Sequence, residues 1–152
     1  MAMRNSAVFS RTEKVLVVKP PLPHAHPDQG LPVAQMRRAL KKFPNIADPG
    51  ADRILLFGGM SPVAAVPSNN PHVLVRIQSG PEGKNYGETY RKAQQMIAEG
   101  VPATFDVRMR AYLLLKQHGQ QICKRTRPKC HACPVARHCK QAAMVSLRFV
   151  GS

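Results

Sequence analysis

The stretch CKRTRPKCHACPVARHC, residues 123–139, contains all four cysteines of the chain. Their spacing is C-x6-C-x2-C-x5-C, so Cys123, Cys130, Cys133 and Cys139 are near enough in sequence to close around one metal centre. Most of the residues between the first two cysteines are basic. The stretch therefore predicts a metal-bound fold and a polyanion-binding surface in one segment.

Two other uses of the four thiols are open. Disulfides are one, but the first ten residues carry a single charged side chain, Arg4, and no apolar run typical of a secretory signal. Without export we expect the thiols to stay reduced. Zinc is the other, because four thiolates satisfy its tetrahedral geometry, although structural zinc sites usually have two short C-x-x-C-like pairs and this chain has one. The spacing favours an iron–sulfur cluster over zinc.

Charge is distributed unevenly along the 152 residues. The net charge is +15, all eight acidic residues precede residue 107, and ten of the 23 Lys and Arg residues follow it. A positive C-terminal third is typical of nucleic-acid binding, whereas a solvated basic surface is the plainer alternative. Because cations are packed among the cysteines, we expect phosphate contacts there. The candidate residues are Lys124, Arg125, Arg127, Lys129 and Arg137.

Composition predicts one small domain, since 43% of the residues are apolar and no apolar stretch is long enough to cross a membrane. We expect a cytoplasmic protein, associated with the nucleoid if bacterial. Four segments are predicted along the chain: a proline-rich, weakly ordered arm, a helical region, a cysteine segment and a tail. They span residues 1–30, 31–122, 123–140 and 141–152.

Helical periodicity begins after Leu31. Apolar residues recur every three or four positions before Pro44, and a turn separates this run from a second helix. Residues 61–71, rich in Pro, Ser and Asn, predict a loop, and residues 72–77 fit either a helix or a strand. The first apolar face is formed by Val33, Met36, Leu40 and Phe43.

Two longer helices follow. One runs from Tyr86 to Gly100, and the other from Pro102 to Gly119, where the glycine predicts a C-terminal cap. We expect their apolar faces, which include Leu114, to be core. The overall prediction is an all-α fold that ends in a metal-bound segment.

A family resemblance adds to this interpretation. Residues 111–119, AYLLLKQHG, and the cysteine pattern with Pro134 after its third cysteine resemble the C-terminal [4Fe-4S] segment of endonuclease III-type helix-hairpin-helix DNA glycosylases. The resemblance is strongest over residues 86–139 and extends weakly back to about residue 30. It implies a partial glycosylase-like helical domain, a [4Fe-4S] cluster held by the four cysteines, and a basic loop that contacts double-stranded DNA.

The family's hairpin motif, Leu-Pro-Gly-x-Gly, corresponds to residues 43–47 here, FPNIA. The resemblance implies that glycines at the third and fifth positions of this motif bring backbone N–H groups close to a DNA phosphate. Asn45 is compatible with the left-handed backbone of the first glycine and stays a candidate DNA contact. We expect Ala47 to incur a steric cost at the second position, and Asp48 to place negative charge near the phosphate.

Both catalytic positions implied by the resemblance are altered. The family's lysine nucleophile corresponds to Pro49, which has no amine, and its catalytic aspartate corresponds to Asn70, whose amide cannot act as a general base. Catalysis is therefore expected to be lost, and whether the protein is an enzyme is left open.

The chain resembles a truncated member of the family, because residues 1–30 are too few to supply the helices expected before the hairpin. A homodimer or a protein partner would then complete the domain. The sequence favours a [4Fe-4S] DNA-binding protein. An active glycosylase or abasic-site lyase with non-standard residues, and a structural or redox metal module, are the alternatives. Non-standard candidates, each more simply a surface charge, are Asp48, Asp52, Glu82 and Lys84.

Overall fold

The computed structural model describes residues 31–149, and its regular structure is helical throughout that range. The all-α prediction is confirmed for these residues, and residues 72–77 belong to a helix. The predictions for the arm at residues 1–30 lie outside the described range. The helices are α1 (Val33–Leu40), α2 (Asp48–Phe57), α3 (His72–Ser79), α4 (Tyr86–Gly100), α5 (Phe105–Gln121) and α6 (Lys140–Phe149), with 3-10 turns at Cys130–Ala132 and Ala136–His138.

Helices α1 and α2 form a contacting pair joined by residues 41–47. Pro32 precedes α1, and its carbonyl accepts hydrogen bonds from the first-turn amides of Gln35 and Met36. Pro49 occupies the first turn of α2, where its missing N–H is no loss. Two helices separated by a turn are therefore present where the sequence predicts them.

An extended segment between α2 and α3 divides the apolar interior. Successive residues of an extended chain face opposite sides, and residues 63–66 follow this alternation. Val63 and Ala65 join the cluster formed by α1, α2 and α5, whereas Ala64 and Val66 join the cluster of α3 and α4. The loop predicted at residues 61–71 is present, but Val63–Pro67 is buried, which composition did not indicate.

A buried carboxylate links three helices. Asp52 of α2 is fully buried and pairs with the Arg37 guanidinium of α1 at 2.6 Å. Tyr90 and Gln94 of α4 donate to its other oxygen at 3.1 and 2.8 Å. Burial and the neighbouring carboxylate raise the pKa of the Tyr90 phenol well above its usual range. Because every carboxylate oxygen is paired, the charge is tolerated inside the helical body.

Several predictions about single residues were wrong. Gly119 does not cap α5, since the helix continues to Gln121. Phe43 and Leu114, expected in the core, are 62% and 56% exposed; Phe43 lies in the turn after α1, and Leu114 lies on the outer face of α5. Residues 140–149, assigned to the cysteine segment and tail, form α6, which packs against α3. Among residues 31–149, no helix is both long and apolar enough to cross a membrane.

Candidate functional site

The four cysteines border one cavity at the end of the helical body. Cys123 follows α5, Cys130 begins a 3-10 turn, and Cys139 directly precedes α6. Their side chains, together with that of Cys133, line a small cavity of about 20 Å³ that is partly open to solvent. No disulfide joins any of them. The chain thus brings together every thiol that the sequence predicts as a ligand.

Arg76 of α3 connects the helical body to this segment. Its side chain is 9% exposed, and its guanidinium donates to the carbonyl oxygens of Lys124 at 3.0 Å and Arg125 at 2.9 Å. It also lies 3.8 Å from the Cys123 sulfur, and its carbonyl is 3.5 Å from the Cys139 sulfur. One buried cation therefore fixes the backbone where the basic loop, residues 124–129, begins.

Two histidines add further contacts. His72, the first residue of α3, is buried, and its Nε2 donates to the Cys123 carbonyl at 2.8 Å. Burial lowers the pKa of His72, and the hydrogen bond to the Cys123 carbonyl partly opposes this because it stabilises the charged ring. His118 of α5 lies 3.7 Å from the Cys133 sulfur. Polar side chains of α3 and α5 consequently approach the thiols from two sides.

The chemistry of the donor set fits a thiolate-bound metal group. Burial raises the pKa of both the Cys123 and Cys130 thiols, with Arg76 partly opposing this at Cys123. Metal binding displaces the thiol proton and so offsets this preference for the neutral form. Within residues 31–149, no three His, Cys, Asp or Glu side chains converge closely enough to hold a single metal ion. The thiols are spread around the cavity rather than gathered at one point.

The basic loop closes on itself through its backbone. The Ile122 carbonyl accepts hydrogen bonds from the amides of Lys124 and Lys129, both at 2.9 Å. This closure brings the two ends of the loop together and leaves its side chains outside. All five cations that the sequence singles out are exposed: Lys124, Arg125, Arg127, Lys129 and Arg137.

Glu82 is the acidic residue nearest to these cations in the ion-pair network. It binds Arg76 at 3.1 Å and Arg125 at 3.5 Å, and its side chain is only 18% exposed. The Arg125 side chain is 60% exposed, so most of it stays accessible. The other four cations of the segment form no ion pair within the described residues. The surface therefore keeps a strong excess of positive charge.

Of the two expectations about the backbone of the predicted hairpin, the one for Asn45 is confirmed and the one for Ala47 is wrong. Asn45 has a φ of 65°, the left-handed conformation that the sequence allows at this position. Ala47 has a φ of −94° in extended backbone, so the expected steric cost does not arise. Asp48 lies in the first turn of α2, as expected, but pairs with Lys41 at 2.7 Å. That lysine partly neutralises the negative charge at the helix N-terminus.

The altered catalytic positions lie in different surroundings. Pro49 occupies the first turn of α2, next to the hairpin. Asn70 is 5% exposed and packs against Gly119 so closely that a Cβ on Gly119 would lie 2.1 Å from the Asn70 amide nitrogen. Gly119 is thus needed for the approach of α5 to the loop before α3, which explains its position inside a helix.

Two of the acidic residues named as non-standard catalytic candidates, Asp52 and Glu82, are not the surface charges that the sequence predicts. Asp52 is buried and fully paired, and Glu82 is largely buried between two arginines. Asp48 and Lys84 are exposed, as predicted. Asp52 and Glu82 are therefore explained by structural roles.

Comparison with known proteins found no matching family model and no matching curated protein.

Sequence reasoning missed the residues that support the cysteine segment. Arg76, His72 and His118 lie in helices and carry no spacing signal that links them to the cysteines. The one available signal is an arginine in the otherwise apolar run of residues 73–77, because a cation at such a position needs a buried partner.

Proposed function

We propose that residues 31–149 form a DNA-binding module of the endonuclease III type. In this proposal Cys123, Cys130, Cys133 and Cys139 hold a [4Fe-4S] cluster, and the basic loop binds the phosphate backbone of double-stranded DNA. The observation that carries the proposal is the combination of four thiols around one cavity with exposed cations on the segment that encloses it.

Support for the metal group comes from the donor set. Four thiolates suit iron–sulfur clusters, whose role here would be to cross-link Cys123 to three cysteines beyond the basic loop. The single C-x2-C pair and the family resemblance favour a cluster over zinc. Arg76 and His118 would donate hydrogen bonds to the ligating sulfurs, which is the usual function of groups around a metal site.

Support for the DNA interface comes from charge and backbone order. Arg76 holds the carbonyls of Lys124 and Arg125, so the loop begins from a fixed position. Preorganised cations lose less conformational freedom when they bind phosphates than cations on a mobile tail. Asn45, in the turn before α2, would provide a second backbone contact beside the helix N-terminus.

The proposed mechanism is backbone binding without base excision. Lysine and arginine side chains release counterions from DNA when they neutralise phosphates, and this term is independent of sequence. Pro49 has no amine for a covalent intermediate, and Asn70 is buried against Gly119. The proposal thus assigns the chain to binding rather than to glycosylase or lyase chemistry.

A matched pair of double variants tests the proposal. Arg125→Ala/Arg127→Ala removes two cations from the basic loop, and Arg91→Ala/Lys92→Ala removes two exposed cations from α4. We expect the loop variant to weaken duplex binding about tenfold or more and to reduce the slope of log K against log salt by about two, whereas the α4 variant changes little. Fluorescence anisotropy at several salt concentrations measures both quantities.

Equal losses in the two double variants would remove the basic loop from the interface, since net charge alone would then explain the binding. An unchanged iron content and visible absorbance in both variants serve as the control for an intact cysteine segment.

Location and assembly follow from the same proposal. A cytoplasmic location suits it, because reduced thiols persist where glutathione and thioredoxin keep them so. Exposed apolar side chains on α2 and α5, Phe57, Leu113 and Leu114, are compatible with a homodimer or a protein partner. Size-exclusion chromatography with light scattering would measure the assembly state.

A further inference from the structure

A groove of about 1150 Å³ lies between the cysteine segment and α6. Arg125, His131 and Arg137 line it on the side of the cysteine segment, and Ala143 and Ser146 line it on the α6 side. The sequence predicts only a tail at residues 141–152, so it gives no sign of the α6 wall. The groove is therefore a feature that the sequence interpretation did not contain.

Charge in the groove has one sign. Its lining includes two exposed arginines, Arg125 and Arg137, and no aspartate or glutamate among the residues that the structure describes. Glu82 reaches Arg125 at 3.5 Å, but its carboxylate also binds Arg76 and does not line the groove. A concave surface that is lined by positive charge concentrates anionic ligands.

Most side chains on the α6 side of the groove are short, so they leave room for a ligand. Ala142 and Ala143 are small, and the Ser146 hydroxyl donates to the Ala142 carbonyl at 3.0 Å, so its one proton is already engaged within α6. Among the lining residues whose side chains the structure describes, none is Phe, Tyr or Trp. Single-stranded sites usually stack bases on aromatic side chains, so the groove suits a phosphate backbone better than unstacked bases.

We infer that this groove holds one phosphodiester strand of the bound duplex, with α6 as the second wall of the interface. The inference rests on the proposed function and deepens it, because it adds a helix that the basic loop alone does not include. Arg125 and Arg137 then face phosphates from one side, while Ala143 and Ser146 limit the width from the other.

Two glutamate substitutions test this inference. Ala143→Glu places a carboxylate in the groove, and Ala98→Glu places the same charge on an exposed position of α4. We expect Ala143→Glu to weaken duplex binding about tenfold and to lower the salt slope by about one, with Ala98→Glu within about twofold of the unmodified protein. Ala143→Gln, similar in size but neutral, should bind like the unmodified protein.

The outcomes separate the inference from the proposed function. If the unmodified protein binds duplex and Ala143→Glu matches Ala98→Glu, the groove is not the strand site and the proposed function still holds. If Ala143→Gln loses binding as strongly as Ala143→Glu, the effect is not one of charge and the inference fails. Absence of any duplex binding at low salt in the unmodified protein contradicts the proposed function itself.

Competition identifies the kind of anion. Poly-glutamate that displaces duplex from the unmodified protein at comparable charge concentration would show an acidic-peptide site and overturn the assignment to nucleic acid. Displacement by unlabelled duplex but not by poly-glutamate supports it.

Discussion

The helical body, α1–α5, and the cysteine segment are stabilised by different interactions. The body buries apolar side chains in two clusters, and Leu55 and Leu56 are fully buried. The cysteine segment contributes no buried residue between residues 123 and 140. It is attached instead by hydrogen bonds from Arg76 and His72 to its backbone and by thiols around a cavity.

This difference shows why a segment without a core needs another source of order. Apolar burial contributes roughly 25 cal/mol per Å², and a segment with little such burial cannot offset its loss of chain entropy in this way. Metal ligation and buried polar contacts supply the missing stabilisation in small segments of this kind. Substitutions that change one region at a time therefore separate the two sources of stability.

The largest effect is expected for Arg76→Met. It leaves the Glu82 carboxylate and the carbonyls of Lys124 and Arg125 without their shared donor, so the free energy of unfolding should fall by about 3–5 kcal/mol. Amide exchange by mass spectrometry should accelerate most across residues 123–129. Arg76→Lys, which keeps the charge, should lower the free energy of unfolding by less. If amide exchange across residues 123–129 is unchanged in Arg76→Met, Arg76 does not fix the backbone of the basic loop.

Leu55→Ala tests the apolar core of the helical body. It removes a fully buried side chain from the cluster of α1, α2 and α5, and should lower the free energy of unfolding by about 2–5 kcal/mol in chemical denaturation. Leu114→Ala, at a position that is 56% exposed, is the control and should cost under about 0.5 kcal/mol. Similar losses in both variants would contradict the assigned core.

Gly119→Ala tests the contact between α5 and Asn70. The added methyl group would collide with the Asn70 side chain, and overpacking of this kind usually costs about 1–3 kcal/mol. The double variant Gly119→Ala/Asn70→Ala should recover part of that loss in thermal unfolding. A purely additive double variant would mean that the two residues do not interact.

The smallest effect is expected at the hairpin. Asn45→Ala forces a less tolerant residue into the left-handed region, at a cost of about 1–2 kcal/mol, whereas Asn45→Gly should stay close to the unmodified protein. Urea unfolding compares the two. A cost that is the same for alanine and glycine would point to a side-chain contact of Asn45 instead of its backbone.

Apolar periodicity predicted α1, α2, α4 and α5, as the spacing of Tyr90, Ala93 and Ile97 illustrates, but it left α3 open between helix and strand and did not predict α6. Thiol spacing predicted that the cysteines would close around one metal centre, and all four line one cavity without converging on a single point. It could not predict Arg76 or His118, since those contacts join residues far apart in sequence. The burial of Asp52 was missed for the same reason: its partners, Arg37, Tyr90 and Gln94, come from two other helices.

Metal and sulfide analysis of protein purified without oxygen tests whether the four cysteines hold an iron–sulfur cluster, on which the proposed function depends. We predict about four iron atoms and four acid-labile sulfides per chain, with a visible charge-transfer absorbance that is lost in Cys130→Ser. Colourless protein that carries zinc, or no metal at all, would contradict this prediction.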